Sequence, residues 1–189
     1  YYQDRKYKIK LNTKNVYSKG MFENVCLAIK VALDLNIDKK VIQKALPFLS
    51  FEGRFQYLNK GKIKNKLNRN ELIMIDGAHA TADAQNLASY LKKIKIPKYG
   101  IWAMTKNKEP DLFIKKLKGV FKKIVIMPIE NETNSVSVNK LYKIAVKNKF
   151  KAEKSNNFTE ALRKISSKEK KLIVCFGSLY NCGNILNKN

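Results

Sequence analysis

Two polar side chains follow a short apolar run in the middle of the sequence. The run is residues 72–75 (LIMI), and it leads directly into residues 76–79 (DGAH). A carboxylate such as Asp76 at the end of a buried strand can accept hydrogen bonds from the hydroxyl groups of a ribose. His79 falls at the predicted start of a helix, where backbone N–H groups favour anions. A turn or cap role for Asp76 and an ordinary surface imidazole for His79 fit the pattern equally well.

Further polar residues follow two later apolar runs. Thr105, Lys106 and Lys108 come after residues 99–104, and Gly177 and Ser178 come after residues 172–176. In open parallel sheets, ligands bind beyond the carboxyl ends of the strands. We therefore expect Lys106, Lys108 and Ser178 to lie near a substrate or a phosphate group.

Arg54 lies in residues 53–56 (GRFQ), at the predicted junction between two structural units. A guanidinium group binds phosphate oxygens through two parallel hydrogen bonds, so an arginine at this place suits phosphate neutralisation. An ordinary inter-domain salt bridge is the competing interpretation, and the local sequence alone favours it.

The chain lacks the signatures of several common active sites. It has no GxxxxGK[ST] loop and no GxGxxG segment, so it carries no phosphate-binding loop of its own. His79 is the only histidine, which leaves a Ser/His/Asp triad without support. The three cysteines have no CxxC spacing, so we expect no zinc site and reduced thiols, as in a cytosolic protein.

Strands that alternate with helices must position these residues. From residue 51 onward, buried strands are predicted at 72–75, 99–104, 124–127 and 172–176, with a short one at 150–152. Helices are predicted at about 82–94, 110–117, 138–148 and 157–166. This alternation predicts an α/β fold with a mostly parallel sheet flanked by helices. The Lys- and Asn-rich segment 60–70 is expected to be an exposed insertion.

Residues 1–50 contain too few elements to form a core of their own. Weak alternation at Tyr7, Ile9 and Leu11 predicts a strand, and two helices are predicted at about 19–35 and 38–46. We expect residues 1–50 to be the end of one domain and residues 51–189 to form another.

The composition bears on two classes of function, insertion into a membrane and binding of nucleic acid. The 189 residues include 39 Lys and Arg against 15 Asp and Glu, giving a formal net charge of +24, and no apolar run approaches the ~20 residues of a membrane span. Only four of the basic residues are arginine, and the lysines are spread from Lys6 to Lys188. Scattered lysine favours a compositional bias over a specific nucleic-acid site, although a basic nucleic-acid-binding module remains an alternative.

Several segments, in this order, resemble the carboxyl-terminal part of folylpolyglutamate synthase/dihydrofolate synthase, a relative of the Mur ligases. They are residues 53–56 (GRFQ), 73–79 (IMIDGAH) and 177–183 (GSLYNCG). Residues 103–109 (AMTKNKE) are similar to the family's DKD-bearing strand end, and Asn24 with Val25 resembles an NA motif in its central domain. The similarity covers nearly the whole chain.

The resemblance implies an ATP-dependent ligase that joins glutamate to folate or dihydropteroate through an acyl phosphate. Residues 1–50 would then be the end of the central ATPase domain, and residues 51–189 the Rossmann-like carboxyl-terminal domain. By the same resemblance Asn24, Arg54, Asp76 and His79 would contact ATP, with Arg54 at the phosphates and Asp76 at the ribose. Arg54 and His79 would be the catalytic residues.

The implied ligands of the intact protein are ATP, Mg²⁺, L-glutamate and folate or dihydropteroate. In this family the P-loop and the Mg²⁺ ligands precede the present segment, so we expect the chain alone to be inactive and to hold no metal. The intact protein is expected to be a cytoplasmic monomer with no membrane partner and no specific nucleic-acid partner.

Two departures from the family's pattern keep a second hypothesis open. Ala80 and Thr81 stand where the family has Asn-Pro, and Met21 and Phe22 stand where it has His-Gln. The chain could therefore belong to a split or decayed remnant of such a ligase that has lost its activity.

Overall fold

The structure is a computed structural model that describes residues 1–189 as two compact units, Tyr1–Glu52 and Gly53–Asn189. The strands are β1 (Tyr2–Gln3), β2 (Lys8–Ile9), β3 (Gln56–Tyr57), β4 (Glu71–Asp76), β5 (Lys98–Trp102), β6 (Lys123–Ile126), β7 (Ala152–Lys154) and β8 (Lys171–Phe176). The helices are α1 (Lys19–Asp34), α2 (Lys39–Ala45), α3 (Lys62–Lys66), α4 (Thr81–Lys92), α5 (Pro110–Lys115), α6 (Val138–Lys147), α7 (Phe158–Ile165) and α8 (Leu179–Leu186). A short 3-10 helix, Leu46–Phe48, follows α2.

The first unit consists of the antiparallel pair β1–β2 and the helices α1 and α2. Ser18 and Asp38 cap the two helices, because their side-chain oxygens accept hydrogen bonds from backbone N–H groups of the first turns. The expectation that this segment is too small for a core of its own is wrong: both helices and β2 contribute to a small apolar core that includes Ile9, Val25 and Ile42.

The second unit is built on a six-stranded sheet in the order β3-β4-β8-β5-β6-β7. All neighbouring strands are parallel except β3, which pairs antiparallel with β4 at one edge. The last strand, β8, lies between β4 and β5, and all six of its residues are buried. The predicted α/β fold with a mostly parallel sheet flanked by helices is therefore confirmed.

An apolar core fills the space between this sheet and its helices. Trp102, Phe113 and Phe176 are fully buried, and their rings stack with centroids 6.1–6.5 Å apart. Aromatic rings at such distances contribute more than their buried area alone. The stack lies below the ends of β5 and β8, so it supports the edge of the sheet where the polar residues collect.

Segment 60–70 is largely exposed, as its composition predicts, but it is anchored to the core at one short helix. It contains α3, whose Ile63 is buried and belongs to the apolar core, and Leu67 packs against the same core. The helix is fixed at its start by Asn189, whose carbonyl oxygen accepts the N–H of Lys62 at 2.7 Å. Two apolar residues at helical spacing are enough to fasten a segment whose other residues are polar.

Two other elements were not predicted, and one is displaced. β3 begins at Gln56, the last residue of the GRFQ segment, and α8 begins at Leu179, within the GSLY segment. β7 begins at Ala152 rather than at residue 150. The three cysteines are free thiols, as expected. None of the eight helices has both the length and the apolar character that crossing a bilayer requires.

Candidate functional site

Asp76 is the last residue of β4, and its side chain is almost completely buried. One carboxylate oxygen accepts the N–H of Phe55 and the other accepts the N–H of Ala78, both at 2.8 Å. Burial raises the pKa of Asp76 to about 6, against the opposing effect of these two hydrogen bonds and of the Arg54 charge. The carboxylate thus joins the end of β4 to the loop that carries Arg54.

Arg54 is held in place through its backbone on both sides. The carbonyl of Gly53 accepts the N–H of Gly77 at 2.6 Å, and the N–H of Phe55 is donated to Asp76. Phe55 has a φ of 47°, a left-handed conformation that a non-glycine residue adopts only when its surroundings fix it. The loop geometry therefore determines where the Arg54 side chain emerges, and about a third of that side chain is exposed.

The side chain of Asp83 links Arg54 to the start of α4. Its Oδ2 lies 3.9 Å from Nη1 of Arg54 and accepts the N–H groups of His79 and Ala80, both at 3.3 Å. Asp83 occupies the third position of α4, so it supplies one half of a capping box. Ala80, at the N-cap, has no side-chain oxygen to supply the other half.

His79 is partly buried and has a defined ring orientation. Its Nδ1 lies 2.8 Å from the carbonyl oxygen of Gly77. A carbonyl can only accept, so Nδ1 carries a proton and donates it to Gly77, which leaves Nε2 to interact with a ligand.

The β4 and β8 strand ends need glycine because other chain segments approach them closely. A Cβ atom on Gly77 would lie 2.2 Å from Cδ2 of Leu179, in the first turn of α8. Gly177 has a φ of 107°, and a Cβ there would lie 2.2 Å from the carbonyl oxygen of Ala103. The first contact brings the start of α8 against the end of β4, and the second brings the end of β8 against the end of β5.

A cleft of about 420 Å³ opens at this edge of the sheet. It brings together four of the predicted site residues, His79, Lys106, Lys108 and Ser178. The other residues that line it come from the β5–α5 loop, the β6–α6 loop and the start of α8: Thr105, Asn107, Glu132, Asn134, Leu179 and Tyr180. The cleft is therefore built from four separate parts of the chain, as expected of a ligand site in an open α/β sheet.

Two predicted residues in the cleft make defined contacts. Lys106 donates from Nζ to the carbonyl of Thr133 at 3.0 Å and from its backbone N–H to the carbonyl of Asn134 at 2.7 Å. Ser178 is the N-cap of α8, and its hydroxyl accepts the N–H of Asn181 at 3.4 Å. The Ser178 side chain thus orients the start of α8, whose first-turn residues line the cleft.

The remaining predicted residues lie elsewhere. Arg54 and Asp76 are not among the cleft-lining residues, and they connect to it through Asp83 and His79. Asn24 lies on α1 in the first unit, where it is exposed beside an apolar cavity of about 330 Å³. No group of three or more His, Cys, Asp or Glu side chains in residues 1–189 is placed to hold a metal ion.

Sequence reasoning missed Asp83 and Glu132. Asp83 stands four residues after His79 at a helix N-terminus, and its position at N3 was a usable signal. Glu132 lies in the β6–α6 loop, more than 50 residues from His79, and only the folded sheet brings it into the cleft.

Residues 59–188 match the protein family described as dihydrofolate synthetase, C-terminal domain. A search of curated proteins gives no match. The matched segment covers more than two thirds of the chain and includes β4 to β8.

Several solved structures share the fold. One is folylpolyglutamate synthase of Mycobacterium tuberculosis complexed with ADP and AMPPCP, which is 18% identical in sequence and has a TM-score of 0.77. The match covers 91% of this chain and 40% of that chain. Another is the bifunctional folylpolyglutamate synthase/dihydrofolate synthase of Yersinia pestis complexed with AMPPNP and Mn ion, which is 17% identical and has a TM-score of 0.77. The match covers 98% of this chain and 42% of that chain. A third is folylpolyglutamate synthase of Thermotoga maritima, which is 22% identical and has a TM-score of 0.68. The match covers 89% of this chain and 38% of that chain. The chain spans about 40% of the length of these structures.

Proposed function

The chain belongs to the family of dihydrofolate synthetase C-terminal domains, and from this we propose that it is the carboxyl-terminal part of an ATP-dependent folylpolyglutamate/dihydrofolate synthase. The resemblance inferred from the GRFQ, DGAH and GSLY segments is thereby confirmed at the level of the family. The reaction, the substrates and the roles of single residues are part of the proposal.

The proposed reaction has two steps. The carboxylate of folate or dihydropteroate attacks the γ-phosphate of ATP, which gives an acyl phosphate and ADP. The amine of L-glutamate then attacks the acyl carbon, an amide forms, and inorganic phosphate leaves. Both steps require two anionic reactants to approach each other, so the site must supply positive charge where the phosphate moves.

In this proposal Arg54 neutralises the phosphates, while Asp76 and His79 lie beside the nucleotide. Asn24, on the first unit, is a further ATP contact, and residues 1–50 are the end of the central ATPase domain. Lys106, Lys108 and Ser178 lie near the amino-acid substrate or the transferred phosphate.

Mg²⁺ is the proposed metal, and it would screen the phosphate charges of ATP when bound. The donor set of this chain does not fit it, since no cluster of carboxylate or imidazole groups is assembled. We place its ligands, with the P-loop, in a segment of the intact protein that precedes this one. The 189-residue chain supplied alone is accordingly expected to be inactive.

One observation carries the proposal. The GRFQ and DGAH segments lie about 20 residues apart, and two hydrogen bonds, from Gly77 to Gly53 and from Phe55 to Asp76, fasten them together. Arg54 and Asp76, two of the residues that we assign to the nucleotide, thus belong to one rigid group at a strand end. A surface salt bridge alone would not need this backbone arrangement.

Complementation tests the proposal. The full-length reading frame is expressed in a bacterium that lacks folate synthase, beside an Asp76→Ala variant and the 189-residue chain alone. We expect growth with the full-length protein only. Failure of the full-length protein to support growth, when it is soluble, would favour the inactive remnant, for which the missing cap at Ala80 is the supporting observation.

A further inference from the structure

A groove lies between α3 and α7, and it shares no lining residue with the cleft at the sheet edge. Its volume is about 600 Å³, which is within the range of small-molecule sites. Its apolar lining comes from α3 with its C-cap and from α7: Ile63, Leu67, Phe158 and Leu162. These four side chains belong to, or pack against, the apolar core of the second unit. The groove therefore has an apolar floor.

Hydrogen bonds fasten α3 at both of its ends. At its start, Lys62 donates its N–H to the carbonyl of Asn189 at 2.7 Å, and Ile63 donates its N–H to Oδ1 of the same residue at 3.2 Å. Beyond its other end, Nδ2 of Asn68 donates to Oγ of Ser166, directly after α7, at 2.8 Å. The two walls of the groove are thus preformed, and a ligand would not have to order them.

The rim of the groove is basic. Three exposed side chains line it, one each from α3, α7 and the segment after α8: Lys66, Arg163 and Lys188. Lys188 is paired with Glu130, whereas Lys66 and Arg163 form no salt bridge. The rim therefore presents two positive charges that no ion pair neutralises.

Arg163 lies where the groove meets a second cavity, of about 590 Å³. The two carboxylates that line the second cavity already have partners. Glu130 pairs with Lys188, and Glu160 pairs at 2.9 Å with its neighbour on α7, Lys164. No carboxylate lines the groove itself. An anion bound to Arg163 from the side of the groove would therefore meet no negative side chain there.

These features together match one class of ligand. An apolar body would cover the floor, and a carboxylate would accept two parallel hydrogen bonds from a guanidinium group. We propose that the groove binds an amphiphilic carboxylate, with its apolar part against Phe158 and Leu162 and its carboxylate on Arg163. This site is separate from the residues assigned to the ligase reaction, so it does not depend on the proposed function.

The test is an NMR titration of the ¹⁵N-labelled 189-residue chain with three probes. 2-Naphthylacetate has both the apolar body and the charge, 2-naphthylacetamide has the body alone, and acetate has the charge alone. The naphthyl carboxylate should shift the amide signals of α3 and α7 and bind more tightly than its amide, while acetate should leave these signals unchanged. In Arg163→Gln the affinity for the carboxylate should fall by about tenfold, because a charged hydrogen-bonded contact is lost. The affinity for the amide should not change.

Arg69→Gln is the matched control. Arg69 is exposed, follows α3 and does not line the groove, so its substitution removes the same charge nearby and should leave all affinities unchanged. Arg163 makes no hydrogen bond or salt bridge in the fold, so Arg163→Gln should keep the remaining amide spectrum. The apolar cavity beside α1 and α2 has no basic lining residue and serves as an internal comparison in the same spectra, where the carboxylate should not be favoured over the amide.

Three results would overturn the assignment. The first is equal affinity of the groove for the naphthyl carboxylate and its amide. The second is an equal loss of carboxylate affinity in Arg163→Gln and Arg69→Gln, which would indicate a general effect of net charge. The third is the absence of shifts in α3 and α7 when the naphthyl carboxylate is added.

Discussion

Arg54 illustrates how a single residue can be positioned by contacts that it does not make itself. The backbone of Gly53 is hydrogen-bonded to Gly77, and the backbone of Phe55 is hydrogen-bonded to Asp76. The Arg54 side chain itself has one long ion pair, to Asp83. An exposed pair of this kind contributes about 0–1 kcal/mol to stability. The guanidinium is therefore available to a ligand at small cost to the fold.

Replacing Arg54 with alanine separates its proposed role at the phosphates from its contribution to the stability of the fold. In the proposed full-length ligase we expect turnover to fall by about a hundredfold or more, because the proposed electrostatic contact of Arg54 to the phosphates would be lost. The free energy of unfolding should fall by less than about 1 kcal/mol. Steady-state kinetics and urea denaturation measure the two effects, and Arg69→Ala, in the exposed segment before β4, is the control. Equal losses of stability and activity would instead support a structural salt bridge.

The Asp76 carboxyl should titrate near pH 6 in the folded chain. Burial raises its pKa from 3.8 to about 6, so between these values the folded state holds a proton that the unfolded state has lost. The contribution of this group to stability is therefore fully present below about pH 4 and is lost as the pH rises through about 6.

Carboxyl chemical shifts of the ¹³C-labelled chain measure this pKa directly. Asp76→Asn removes the titration, but it leaves one oxygen for two N–H donors, so it should also destabilise the Arg54 loop. Exposed Asp38, the N-cap of α2, provides an internal comparison within the same spectra. A midpoint for Asp76 at or below 4 would mean that the two backbone hydrogen bonds outweigh its burial.

At the scale of single elements, the start of α4 is incompletely capped. Ala80 has the extended backbone of an N-cap, with φ −103° and ψ 160°, but no side-chain acceptor. Asparagine at this position would accept a backbone N–H and complete the box with Asp83. Ala80→Asn should therefore raise the free energy of unfolding by about 1 kcal/mol.

Urea denaturation of the 189-residue chain measures this gain. The control is Ala82→Asn, two residues later on the same exposed surface, where asparagine lies inside the helix and should be neutral or destabilising. Equal effects of the two substitutions would show that Asp83 alone already satisfies the helix start.

The elements that the sequence predicts well are those with long apolar periodicity. β4, β5, β6 and β8 are continuous apolar runs, and α4 to α7 carry their apolar residues at helical spacing. Such patterns report burial directly, and burial is what the sheet requires.

The elements that were missed lack that signal. β3 has two residues and exists because its edge pairs with β4 beside Asp76. In α8, Gly183 and two asparagines lower the helical propensity, and the usable signal was the capping residue Ser178. For the site, strand ends could be predicted because parallel strands end at one edge, whereas Glu132 depends on how the β6–α6 loop folds back over β5.

At the scale of the whole molecule, the net charge of +24 raises the question of where the basic residues lie. Basic residues occur at both ends of the sheet: Lys106 and Lys108 lie beyond its carboxyl edge, and Lys168 and Lys170 lie just before β8. Others lie on α1, α2 and α6. This spread favours a compositional bias over a nucleic-acid interface.

The chain should bind any polyanion weakly and without sequence preference. Fluorescence titration with two unrelated DNA duplexes should give similar affinities that fall steeply between roughly 50 and 200 mM salt. Heparin should compete with both. A duplex preference of a hundredfold that persists at the higher salt would instead support a specific nucleic-acid partner.

The central place of β8 in the sheet has a consequence for how the chain folds during its synthesis. Because synthesis proceeds from the amino terminus, β4 and β5 leave the ribosome long before the strand that separates them in the sheet. Until residues 171–176 emerge, each of the two offers an unpaired apolar edge of the kind that recruits other nascent chains. The sheet of the second unit therefore cannot be completed until β8 has been synthesised.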